Sequence, residues 1–156
     1  MSATRDYLIE RARRLIEQEE NLDRRELEAA RQWVLAVHRL YARLGSWLDE
    51  INASRLAHST AAAELTVELS SEEQAVPIEQ FRVHAGSLTV TLDPTLFVGE
   101  QRVIRAGTEE QALLLVRTAA GAWEIASLKA SGRLSSRRDP LDQESFYASL
   151  ITLLGL

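Results

Sequence analysis

The chain holds 156 residues, 46 % hydrophobic and 26 % charged, with no cysteine and a formal net charge of −5. That length suits one compact domain, and the missing thiols exclude disulfides, thiolate catalysis and cysteine-ligated zinc or iron–sulfur centres. Residues 1–58 balance ten arginines against ten carboxylates, so the rest of the chain carries the whole acidic surplus, which argues against nucleic acid or anionic lipid as partners.

The charged N-terminus has no apolar stretch of a signal peptide, and no apolar run approaches the ~20 residues of a membrane span. A cytoplasmic location is the expectation. From about Arg5 to Glu20, Leu8, Ala12, Leu15 and Ile16 recur at steps of three and four, the pattern of a short amphipathic helix. Asp23 with Glu26 three residues on has the form of a capping box, and Leu22 with Leu27 that of a hydrophobic staple. These signals predict a corner near Asn21 and a second helix, the pair forming a helical hairpin.

The second helix carries the clearest periodicity. Leu27, Ala30, Val34, Val37, Tyr41, Leu44, Leu48 and Ile51 form an a/d seam, with Trp33, Leu40 and Trp47 in a neighbouring row. So broad a stripe predicts two contacts for one helix, and Trp33, Val34, Val37, Tyr41, Leu44, Trp47 and Leu48 are the candidate subunit interface. The helix is expected to reach Ile51 and to fray through Arg55 to His58.

After residue 60 the apolar period drops to two. Strands are predicted around Leu65–Leu69, Glu79–Ala85, Leu88–Leu92, Gln101–Ala106, Ala112–Thr118 and Ala122–Ala130, with a short seventh at Arg133–Ser136 as an option. Asp93-Pro94-Thr95 reads as a turn. Leu113 to Val116 is apolar on both faces and predicts a central strand. Connections this short allow only an antiparallel meander. Phe146, Leu150, Leu153 and Leu154 mark a closing helix, capped by Asp139 or Asp142, with Pro140 in its first turn and Gly155 after its end.

The expected fold is therefore one α+β domain. It has two N-terminal helices in an arm over residues 1–58. An antiparallel meander of six strands (five to seven) and a helix packed on the sheet fill residues 62–156.

No catalytic constellation stands out. His38, His58 and His84 share no ligand spacing with each other or with a carboxylate, so neither a metal nor a cofactor is expected. Glycines fall singly at turns, and no nucleophile motif occurs. The preferred reading is a non-catalytic protein–protein interaction module: a small subunit, adaptor, chaperone or immunity-type protein. Its partner would be another protein, a second copy, or both, engaged through the long helix. The alternative is a ligand-binding or enzymatic domain with an apolar pocket between sheet and helices. Arg82, His84, Leu96, Phe97, Arg105 and Glu124 are the candidate pocket or sheet-edge residues.

Overall fold

The computed structural model describes residues 2–51 and 55–156. Its first element overturns the expected corner: α1 is one uninterrupted helix, Ala3–Ile51. At 1.5 Å per residue it is about 74 Å long. The stretch around Asn21 is built from Glu, Leu, Arg and Ala, all good helix formers, with no glycine before Gly45 and no proline before Pro77. A cap forms only where the backbone leaves the helix. Here it does not, and Asp23 uses its carboxylate elsewhere: Oδ1 accepts from Ser70 N at 2.9 Å and from Ser70 Oγ at 2.8 Å.

Seven strands follow in a meander, each antiparallel to the next: β1 (Leu56–Glu68), β2 (Glu73–Ala85), β3 (Leu88–Val98), β4 (Gln101–Gly107), β5 (Ala112–Arg117), β6 (Trp123–Ala126) and β7 (Asp139–Pro140). Three differences from expectation have local causes. First, residues 56–58 are strand rather than fraying helix, and β1 pairs with β2 along its whole length, Leu56 with Ala85 through Glu68 with Glu73. Second, the expected strand at Arg133–Ser136 is a single bridge between Leu128 and Leu134, and β7 lies later. Pro140 consequently sits on that edge strand, where a missing N–H is harmless, and not in a helix. Third, Asp93-Pro94-Thr95 is a bulge inside β3, whose register against β4 slips between Asp93 and Leu96. Asp93 Oδ1 accepts from Thr95 N at 3.0 Å and Thr95 Oγ1 at 2.6 Å, holding the extra residue in place.

The sheet also splits. β2 and β3 pair only from Phe81–Leu92 to Ala85–Leu88; beyond that, β2 stays with β1 and β3 with β4. In the same region the buried phase of β2 changes, from Val76 and Ile78 to Phe81, Val83 and Ala85. Backbone carbonyls at the parting need donors, and α1 supplies them. Tyr41 Oη donates to Glu79 O at 2.9 Å, with Leu92 O 3.5 Å away, and Trp33 Nε1 donates to Pro94 O at 2.9 Å. Two aromatic side chains, Tyr41 of the seam and Trp33 of the neighbouring row, thus close the gap in a ladder.

The main core joins the α1 side chains from Ala30 to Leu48 to one face of the sheet and to α2 (Gln143–Leu154). Asp142 caps α2, its side chain accepting from Ser145 N at 2.8 Å, and Gly155 ends it with a left-handed φ of 69°. On the opposite face Val103, Leu114, Val116 and Ala126 form a smaller cluster under Leu134. β5 is therefore covered on both sides, which explains its continuous apolar run.

Candidate interaction surface

The seven residues expected at a subunit interface lie against the chain's own sheet and α2. Trp33, Val37, Tyr41, Leu44 and Leu48 are buried, and Val34 and Trp47 are half-buried against the same core. Trp33 packs on Trp123, Tyr41 on Phe81 and Trp47 on Phe146, with ring centroids 5.5, 5.2 and 5.9 Å apart. Their breadth serves two neighbours within one subunit, as a wide stripe requires.

The unclaimed apolar surface is further toward the N-terminus. From Ala3 to Leu22 every residue is exposed except the half-buried Glu10. Leu8 is 67 %, Leu15 56 % and Leu22 55 % exposed, whereas Leu40 is 1 %. Five helical turns take about 18 residues, so positions that far apart share one azimuth. Ile9, Ala12, Leu15, Ile16 and Leu22 stand in this relation to Leu27, Ala30, Trp33, Val34 and Leu40. The apolar side of the arm is thus the side that meets the sheet, continued past the sheet's end. Within the arm Glu10 takes Arg13 at 2.7 Å and Arg14 at 3.2 Å, and the Arg11 guanidinium lies 5.7 Å from the Tyr7 ring. Arg13 and Arg14 hold the Glu10 carboxyl below the usual range.

Asp23, through Ser70, is where the sheet begins. On β3 the 49 % exposed Phe97 forms an apolar rim, with the Arg102 guanidinium 4.5 Å above its ring, while Leu96 pairs with Val103 and so belongs to the opposite face of the sheet. The Trp33–Pro94 bond ties β3 to α1 near this rim, and burial pushes the Arg102 pKa down while the Glu26 carboxylate opposes that shift. Sequence reasoning had Leu96 and Phe97 but missed Arg102, which only the pairing of Phe97 with Arg102 across β3 and β4 brings under the ring.

The other candidate pocket residues do not converge. Arg82 and His84 alternate out of the core on β2, where His84 Nε2 lies 2.8 Å from Ser59 Oγ and Nδ1 lies 3.1 Å from Thr89 Oγ1. Arg105 donates to Thr108 O at 2.8 Å, and Glu124 faces Arg138 at 4.0 Å. Between the sheet and α2 lies a cavity of about 10 Å³, lined by Val90, Leu92, Leu115 and Phe146 among others. An open cleft of about 660 Å³ lies instead beside the end of α1, lined by Tyr41, Gly45, Asp49, His58 and Phe81. There His58 Nε2 is 2.9 Å from Asp49 Oδ1, and the ring stacks on Phe81 at 5.5 Å. Gly45 makes room for it, since a Cβ there would stand 3.2 Å from His58 Cε1.

Among the described residues no three His, Asp or Glu side chains gather as a metal site, and no helix is both long and apolar enough to cross a membrane. Compared with protein-family models, curated proteins and solved structures, the chain matches none.

Proposed function

We propose that the chain is a protein–protein interaction module that self-associates through the N-terminal half of α1. One observation carries this reading: the core-facing stripe runs on in phase for about five turns past the sheet, exposed among the described residues. Exposed leucines aligned along a helix are a surface awaiting a partner, and an isolated helix of that length is marginal in water without one. The seam residues from Trp33 to Leu48 act in this reading as the anchor that holds the arm, and Leu8, Leu15 and Leu22 do the docking.

Sedimentation equilibrium tests it. The wild type is expected to be a dimer at about 10 µM, an affinity of ordinary magnitude for a specific pair, and Leu15→Glu to be a folded monomer. A wild-type monomer at ten times that concentration removes self-association. The cleft beside Gly45 favours a second reading, a ligand site in which the paired His58 and Asp49 supply polar contacts over the Phe81 ring. Saturable chemical-shift changes at Gly45 and Phe81 during a small-molecule screen would be its signature.

A further inference from the structure

We infer that two copies pair arm to arm in antiparallel orientation, with Leu8, Leu15 and Leu22 as the seam and each N-terminal tip seated beside the Phe97 rim of the other copy. The inference rests on the self-association proposed above and adds its geometry.

Three features converge on that geometry. The first is steric. Because the arm's stripe has the azimuth of the sheet-packed stripe, a second helix laid on it lies on the same side of α1 as the sheet. It can use only the length ahead of Leu27. A parallel copy would carry its own sheet into the volume that this sheet fills. An antiparallel copy carries its sheet away beyond Ala3, and no clash arises.

The second is charge. On the stripe side the tip half of the arm bears Arg5 and Arg11, and the base half bears Glu19, Asp23 and Glu26. Parallel pairing in register sets Arg11 on Arg11 and Glu19 on Glu19. Reversal about Leu15 brings Leu8 level with Leu22 and Arg11 level with Glu19, so that like pair becomes an opposite one, while Arg5 comes level with Arg25 beside Glu26.

The third is the rim. Tyr7 is exposed at the tip, and Phe97 is exposed at the base. In the reversed pair, and only there, the tip of one arm ends against the base of the other. The paired stretch, Ala3 to Glu26 in each copy, is about 36 Å long, and the two rim contacts extend it at both ends.

The chain has no cysteine, so single introduced thiols report the geometry cleanly. L8C and L22C proteins, mixed and oxidised, are expected to give the mixed 8–22 disulfide as the main product, and L15C alone a 15–15 disulfide. Products of the 8–8 and 22–22 type without the mixed one would overturn the antiparallel pairing while leaving self-association intact. A wild-type monomer with no cross-link in any variant would remove both. Charge exchange gives a second readout. Glu19→Arg is expected to weaken the dimer by about tenfold, the order of one close charge pair turned repulsive, and Arg11→Glu added to it to recover most of that loss. Weakening without recovery would overturn the level assignment of Arg11 and Glu19.

Discussion

From Leu27 to Leu48, α1 gives its apolar side to the sheet and α2; from Ala3 to Leu22 it presents the same side to solvent, with aliphatic residues five turns out of step but at one azimuth. The first stretch is held by bonds to other elements, Trp33 to Pro94, Tyr41 to Glu79 and Tyr147 Oη to Trp47 O, with Gln143 to Glu50 and His58 to Asp49 just beyond it. In the second stretch Glu10 pairs with Arg13 and Arg14, and Arg11 lies over Tyr7, all within the helix. Hydrophobic periodicity reports which way a side chain points. It does not report what lies there, and the two halves of this helix separate those two facts.

Truncation should separate the halves most sharply. Leu40→Ala removes a buried side chain and leaves a cavity, with an expected cost of about 2–5 kcal/mol. Leu15→Ala, compared under monomeric conditions, should fall within about 0.5 kcal/mol of the wild type. Urea unfolding of both variants is the measurement, and equal costs would mean that the arm is packed. Next in size is Trp33→Phe, which strands the carbonyl of Pro94 in a buried bulge and should cost about 1–3 kcal/mol. Its effect should appear first as faster amide exchange around the β3 bulge.

Tyr41→Phe is a smaller change at neutral pH, about 1 kcal/mol for the lost bond to Glu79, but it carries a pH signature. Burial pushes the Tyr41 phenol up, and Asp93 and Glu79 add to the shift. The folded protein therefore keeps this proton where the unfolded chain releases it, above pH about 10. The associated stability is complete below that pH and falls as pH rises, by up to about 1.4 kcal/mol per unit. Urea midpoints between pH 8 and 11 should decline less steeply in Tyr41→Phe, and parallel curves would refute the assignment. The smallest effect belongs to Asp23→Ala at the boundary between the halves. Losing the Ser70 clamp should cost about 0.5–1.5 kcal/mol and speed exchange at the Ser70 amide with little change elsewhere.

Much of this fold was legible where local signals and tertiary packing agree. Strand positions in β4 and β5, the two-sided burial of Leu113 to Val116, the Asp142 and Gly155 caps and the apolar face of α2 all follow from pattern and turn chemistry. The Asn21 corner was misread because Asp23 and Glu26 satisfy a capping pattern that the backbone never uses; a carboxylate there serves a loop 47 positions away. Turn chemistry at Asp93-Pro94-Thr95 likewise becomes a bulge once β4 pairs on both sides of it. The start of β1, Leu56 to Ala63, is too poor in large side chains to show a period. As for the surface, the exposed leucines were visible at their helical spacing, but the wider stripe after Leu27 looked like the better interface. Only the sheet's position shows which stretch it covers.

An unbroken rod also transmits angle. Each residue turns the helix by about 100°, so one residue added or removed between Asp23 and Leu27 would swing the leucine row to a different side of the molecule while leaving every leucine and the whole sheet unaltered. Length change at that joint keeps the row's aim only in steps near whole turns of the helix, such as a heptad, which rotates the row by about 20°. The turn at Ser70–Glu72, by contrast, can lengthen without misaiming anything.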